Sequence, residues 1–550
     1  MSKNQSNLTP TGFDYVVAVT QDSINAALEE YLYKGLPEAI LCYVYDSSNN
    51  PAAIDYKTFV KNANNTDPFS VPDTTPSSDP RIQNLNNANF AFAIKAKLGL
   101  PPGVAPSKLP PIVALKAGQS NVTYTLMFSE FVAAEIIFGP RGSITWFNQS
   151  QPSGTSWSFS GAVDLNFQDA SFTNLPPNVQ NQIKGIGQPA MFSPQQLYYD
   201  LNSSDLEQGF QFNNVPSNSA LNTFMTADFI NTYWKALGGK EVLGYGAKQV
   251  SGLSSANIAV TNLNFFTPDA VGNEGAPLTL NYLCAANNDP LPDTTHAGFG
   301  WNWIEPSEAA QYDGVAALNR NAFVRYLTAA LFPYVASNCY APWVRVTYIG
   351  GIELKVKYEF NMTPGQSPTL NPTPTGATIL SYGYNSGVAS DQAGLNGDAG
   401  KMELSSSYNL TVTVSGNTMT IVQHLVIWTY ARYLATGDGG NVVDKQITDV
   451  YSFGVDDEGH IVASAPQSTV VDNSQRPGAN GFLNFWADVQ TLSDKVTQWA
   501  QSFYGTRLTD IPVSAVRNFV FPGGATFSFS DVAFSDNQDL VSHITYADPS

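Results

Sequence analysis

Four histidines and three cysteines are the side chains best suited to metal binding or nucleophilic chemistry in this chain of 550 residues. Their spacing favours neither. His296, His424, His460 and His543 form no His-x-x-x-His or His-Glu-x-x-His pattern, the arrangement that sets two imidazoles on one helix face for zinc. Cys42, Cys284 and Cys339 stand far apart in apolar surroundings and read as buried free thiols rather than as a disulfide framework or a metal site. No Gly-x-Ser-x-Gly elbow and no Gly-x-x-x-x-Gly-Lys-Ser/Thr loop occurs, which argues against an α/β-hydrolase and a nucleotide-hydrolysing core. "DDEG" (456–459) looks like the start of a calcium loop but lacks the alternating ligands and distal glutamate, so it reads as a hairpin turn. A pair of carboxylates for glycoside hydrolysis is defined by spatial separation, and linear order leaves that chemistry open. No cofactor is expected.

Composition narrows the partners. Charged residues make up 13 % of the chain, about half the ~25 % of an average soluble protein, so the polar surface must be mostly Asn, Ser, Thr and Gln. The net charge of −19 and a pI near 4.5 argue against nucleic acid and against simple adsorption to anionic lipid. The first residues lack the apolar stretch of a signal peptide, and no run of 18 apolar residues exists to cross a membrane as a helix. The expected location is the cytoplasm, or outside the cell by release without a cleavable signal.

The elements read mostly as strands. Residues 1–13 look like a loose polar arm. "YVVAVTQDSINAALEEYLYKG" reads as a short strand, a cap and a helix with Ile24, Leu28, Tyr31 and Leu32 on its stripe. Residues 47–86, rich in Asn, Asp, Pro and Ser, read as a surface excursion with little core. Long strands rich in Val, Ile, Phe, Tyr and Thr follow. Leu221, Phe224, Met225, Phe229, Tyr233, Ala236 and Leu237 then mark a helix over 218–237. "AALNRNAFVRYLTAALFPYV" predicts a helix stopped or kinked at Pro333. A long strand pair over "WVRVTYIGGIELKVKYEFNM" and a Gly/Pro/Asn/Ser-rich stretch over 362–400 come next. Hairpins turn at Gly416–Asn417 and at "DDEG". Near the end, Phe482, Phe485, Val489, Leu492, Val496, Trp499 and Phe503 step by three and four, which predicts a helix roughly 33 Å long.

The two halves can be laid over each other. Ile258, Val260, Leu263 and Phe265 lie 269 positions before Phe527, Phe529, Val532 and Phe534. Val19, Ile24, Leu28 and Leu32 lie 299 positions before Leu318, Phe323, Leu327 and Leu331. Each half then reads as a helix, long strands, a long helix and two closing strands, giving an α+β chain of two pseudo-repeats, 14–300 and 301–550. A helix laid on a strongly curved antiparallel sheet encloses a tube, and an unfilled tube suits an elongated apolar ligand.

Three segments carry a family resemblance. "GFDYVVAVTQDSINAAL", "NRNAFVRYLTAALFPYV" and "FVFPGGATFSFSDVAFSDNQDLVSHITY" resemble the tubular lipid-binding superfamily, and most closely its branch of accessory proteins encoded beside clostridial neurotoxins. The resemblance implies an elongated fold, with long, highly curved antiparallel sheets each wrapped around a long amphipathic helix and lipid held in the seam. It transfers no catalytic residues. The apolar helix faces make Leu28, Phe224, Phe229, Phe485, Val489 and Trp499 the candidate ligand-binding residues. Three readings follow. The first is non-enzymatic binding of a lipid or other hydrophobic small molecule. The second is an interaction protein with a filled seam that joins a protein complex as a toxin accessory or structural partner. The third is a β-sandwich enzyme acting on glycans.

Overall fold

The computed structural model describes residues 2–33, 38–175, 177–186, 188–200, 211–213, 242–252, 258–269, 271, 275–294, 297–350, 356–372, 376–395, 398–457, 459, 461–464, 466–475 and 526–547. Antiparallel sheets dominate. The described α-helices are α1 (Gln21–Tyr33), α2 (Tyr56–Asn62), α3 (Pro80–Asn87), α4 (Pro177–Ile186) and α5 (Arg320–Ser337). The two long helices expected over 218–237 and 482–503 lie outside the described residues.

The strand Tyr15–Thr20 is apolar at five successive positions, and such a strand needs cover on both faces. It has it. Tyr15, Val17 and Val19 face the main core, while Val16 and Ala18 face a second cluster with Leu8, Phe13, Trp301 and Trp303. The sheet around it runs Val260–Phe266, Thr279–Ala286, Tyr15–Thr20, Gly314–Leu318, Leu540–Ala547, Thr526–Phe529, with Ala533–Phe534 also pairing with Leu540–Ala547. Strands from the start, middle and end of the chain therefore share one sheet. At the joint between Tyr15–Thr20 and Gly314–Leu318, a Cβ on Gly314 would lie 2.2 Å from the Ala18 carbonyl oxygen. Only glycine permits that approach. Residues 316–318, read above as the start of a helix, instead close the strand. The helix begins after Asn319, whose Oδ1 accepts the Asn321 N–H at 2.7 Å.

The N-terminal arm is a correction. It is not loose: Leu8 and Phe13 are buried, and the side chain of Asp539 holds the arm in place. Asp539 accepts from Ser6 Oγ at 2.8 Å, from the Leu8 N–H at 2.7 Å and from the Arg320 N–H at 2.9 Å. The last of these puts the carboxylate at the N-terminus of α5, where the helix dipole favours it.

The second large sheet of ten strands has Asn121–Phe138 at its middle. One end of that strand pairs with Ser158–Asp169, the other with Phe90–Leu98 and Ile144–Ser150. Residues 47–86 are a further correction. They fold as α2 and α3 over this sheet, and Phe59, Val71, Ile82 and Leu85 form a core with Phe90 and Trp146. Asp55 and Asp79 cap the two helices through the N–H groups of Thr58 and Arg81.

The third sheet contains Thr378–Ala393, Gly400–Ser415, Thr418–Tyr433 and Thr436–Val455, strands of 16 to 20 residues. Each spans roughly 50 Å or more. Residues 400–433 alternate between buried and part-exposed side chains almost without a break, so one face is core throughout. The Gly/Pro-rich stretch over 362–400 thus contains a full-length strand. The hairpins at Gly416–Asn417 and at 456–459 are present, as is the pair Ala341–Tyr348 with Val356–Thr363. α5 lies on this sheet. Phe323, Leu327, Leu331 and Val335 are buried against it, and the helix passes through Pro333 rather than stopping there. Beneath α5 is a polar network. Tyr334 and Tyr408 donate their hydroxyls to Gln423 Oε1 at 2.6 and 2.9 Å, and Gln423 Nε2 and Ser468 Oγ reach Asp449 at 3.4 and 2.5 Å. Burial raises the Asp449 carboxyl above its ordinary 3.8, against the pull of Ser468 and Gln423.

Two outcomes follow. Asp539→Ala leaves three buried or part-buried donors without their acceptor and should lower stability by about 3 kcal/mol or more in urea unfolding, with Asp539→Asn intermediate. A folded carboxyl above its unfolded value holds its proton more tightly in the native state. Asp449 therefore lends stability below pH 3.8 that is lost as pH rises through its raised value. Asp449→Asn should unfold no more readily than the parent at pH 7 and should lose that part of the acid-range slope.

Candidate apolar groove

α5 has apolar residues nearly all round, so its core face does not exhaust them. Val324, Arg325, Thr328, Ala329, Phe332 and Pro333 recur at one helical face, away from Phe323, Leu327 and Leu331. That second face floors an open groove of about 670 Å³, walled by Leu370 and by Asn287 and Asp289 in the turn after Thr279–Ala286. Phe332 and Leu370 are exposed. Pro333 has no N–H to give the Ala329 carbonyl, which leaves an acceptor on the groove side of the helix.

The groove has a polar end. Arg325 Nη2 lies 2.6 Å from Asp14 Oδ1 and 3.1 Å from Asp289 Oδ2. Asp14 is buried, and its other oxygen accepts the Ala286 N–H at 2.8 Å. Burial raises the Asp14 carboxyl, opposed by the Ala286 N–H and the Arg325 guanidinium. The cluster carries two carboxylates and one guanidinium, so its net charge is that of one anion when all are ionised. Beyond Arg325 the floor is apolar apart from Thr328, with Val324, Ala329, Phe332 and Pro333 exposed to the groove. Such a site can hold a chain of methylenes and meet a polar group at one end.

Of the six residues expected to line a ligand, Leu28 is 1 % exposed and packs in the main core with Ile24 and Ala27. It does not line the groove. Phe224, Phe229, Phe485, Val489 and Trp499 lie outside the described residues. Beneath α1 and α5 the described side chains join one continuous apolar core. A void of about 10 Å³ bordered by Tyr15, Leu318, Ile461 and Phe529 has room for about one water. The sequence reading missed the groove; its signal was the surplus of apolar residues on α5 away from the core stripe.

The described histidines sit in structural settings. His424 Nε2 lies 2.8 Å from Asp444, and His543 stacks on Tyr312 at 3.9 Å with Nδ1 3.0 Å from Asp531. His543 is buried. Cys42, Cys284 and Cys339 are buried free thiols, and burial pushes each up to about 12.

No protein-family model matches the chain, and no curated protein matches it in sequence. Solved structures with a similar chain course include P47 from Clostridium botulinum A2, at 10 % identity and a TM-score of 0.41 over 97 % of each chain. P47 of Clostridium botulinum E1 gives 9 % and 0.41 over 97 % of this chain and 98 % of that one. A lipopolysaccharide binding protein gives 8 % and 0.28 over 98 % of this chain and 99 % of that one. Likeness this distant assigns neither ligand nor activity.

Arg325→Met should destabilise the fold by about 1–3 kcal/mol, because it leaves the buried Asp14 carboxylate with one donor fewer. Asp14→Asn in the same background should recover part of that loss in thermal unfolding.

Proposed function

We propose that this chain is a non-enzymatic binding protein that holds an elongated apolar molecule, a lipid being the leading class, along the outer face of α5. The observation that carries this reading is the groove itself. Its volume of about 670 Å³ falls in the range of small-molecule sites, its floor is mostly apolar, and Arg325, Asn287 and Asp289 gather at one end. Each methylene moved from water onto such a floor is worth about 0.8 kcal/mol if fully buried. We extend the reading to two pseudo-repeats, 14–300 and 301–550. In support, Tyr15–Thr20 leads into α1 and Gly314–Leu318 into α5, and the two strands are neighbours at the middle of one sheet. In each half a closing pair of strands flanks its own opening strand. On this reading the faces bearing Phe224, Phe229, Phe485, Val489 and Trp499 are further apolar surface for the ligand.

A second reading has its own support. The described side chains beneath α1 and α5 join one continuous core, which suits a scaffold that assembles with another protein, as a toxin accessory does.

Organic extraction of the purified chain followed by mass spectrometry should recover a co-purifying lipid, and a fluorescent fatty acid should bind. Ala329→Trp fills the floor of the groove and should weaken the fluorescent probe at least about tenfold, a loss of 1.4 kcal/mol, with the fold intact by circular dichroism. Clean extracts from every host and no probe binding, alongside a stable complex with a second protein, would favour the scaffold instead.

A further inference from the structure

The side chains at the polar end of the α5 groove use only part of their hydrogen-bonding capacity. Arg325 and Asp289 both line the groove, and each is nearly half exposed. A single guanidinium nitrogen, Nη2, serves both carboxylates, Asp14 at 2.6 Å and Asp289 at 3.1 Å. The N–H groups on Nε and Nη1 have no partner among the described residues. The Asp289 carboxylate meets no other described donor. Its backbone is held on both sides: the N–H donates to the Ala286 carbonyl at 2.9 Å, and the carbonyl accepts from Asn262 Nδ2 at 3.1 Å. The acceptor is thus fixed in place before any ligand arrives.

Thr328 follows three residues after Arg325, on the same face of α5. Its carbonyl accepts the Tyr382 hydroxyl at 3.0 Å, while its own hydroxyl has no partner among the described residues. Ala329 and Phe332 carry the floor onward. Polar and apolar parts are therefore separated along roughly 10 Å of helix, from Arg325 to Phe332. Charge sorts the heads that this end can meet. With Asp14, Asp289 and Arg325 ionised, the cluster has one surplus negative charge. A carboxylate head would be the third carboxylate around one guanidinium, and the other two repel it. An ammonium head would be drawn to Asp289 but repelled by Arg325 beside it. A hydroxyl serves both, donating to the Asp289 carboxylate and accepting from the Arg325 N–H groups. A second hydroxyl on the neighbouring carbon can exchange a hydrogen bond with Thr328.

We propose that the groove selects a single-chain lipid with an uncharged head of neighbouring hydroxyls, a monoacylglycerol in class, over the fatty acid or fatty amine of the same chain. The inference rests on the groove reading above and adds the head-group class to it. Arg325 and Asp289 act as a donor and acceptor pair for the first hydroxyl. Thr328 takes the second, and the acyl chain runs over Ala329 and Phe332 toward Leu370.

The test is displacement of the fluorescent fatty acid from the full chain, near neutral pH, by monodecanoylglycerol, decanoic acid and decylamine, whose chains are equal. The glycerol ester should displace the probe at a concentration at least about tenfold below either charged competitor. Asp289→Asn removes the surplus negative charge and should bring decanoic acid to within about threefold of the ester. Thr328→Val keeps the side-chain shape and should weaken the ester by about threefold while leaving decanoic acid unchanged. Circular dichroism checks the fold of both variants, and the parent comparison with Thr328→Val decides the matter should Asp289→Asn not fold. Decanoic acid or decylamine matching the ester on the parent chain would overturn the head-group inference and leave the groove reading standing. So would an unchanged order of competitors in a folded Asp289→Asn, or equal losses of ester and acid in Thr328→Val. Absence of binding by the probe and by all three competitors would overturn both.

Discussion

Asp539 joins parts of the chain that are 531 and 219 positions apart, through the Leu8 and Arg320 N–H groups. Its carboxylate anchors the arm that covers one face of the central sheet and sets the start of the helix on the other. Burial raises this carboxyl, and the Arg320 and Leu8 amides, Ser6 and the Arg320 charge draw it back. A buried acceptor with three donors tolerates little displacement of any of them. The central sheet, whose Tyr15–Thr20, Thr279–Ala286 and Gly314–Leu318 strands are wholly buried, therefore has its cover fastened by hydrogen bonds as well as by apolar contact.

That sheet decides where a ligand can sit. Its inner side chains, the underside of α5 and the long third sheet belong to one continuous core among the described residues. On the outer face of α5, away from that core, apolar surface and open volume coincide. Arg325 closes one end of that face, and its pairing with Asp14 links the groove to the first residues of the central sheet.

The regular elements were legible where burial imposed a period. The opening strand and α1 followed from an unbroken apolar run and a stripe at helical spacing, and the hairpin at Gly416–Asn417 from alternation over two strands. Thr378–Ala393 was hidden because seven of its 16 residues are Gly, Ser, Asn or Asp on part-exposed or exposed positions, and its pairing partners rather than its own composition make it a strand. The arm was misread because two single side chains, Leu8 and Phe13, and one distant carboxylate hold it. In α2 and α3 the core residues are spaced among so many polar neighbours that only Trp146, far along the chain, reveals their face. For the candidate site, the helix was legible but its second face was not singled out. Leu28, chosen for its stripe, is buried in the main core and does not border that groove.

The position of Gly314–Leu318 has a consequence for synthesis. One edge of this strand pairs with residues already made, and the other with Leu540–Ala547. Arg320 precedes its partner Asp539 by 219 positions, which a ribosome covers in about 10–45 s at 5–20 residues per second. For that interval the nascent chain carries an open, wholly apolar edge, a natural substrate for chaperones and a point where a stalled or truncated product would aggregate.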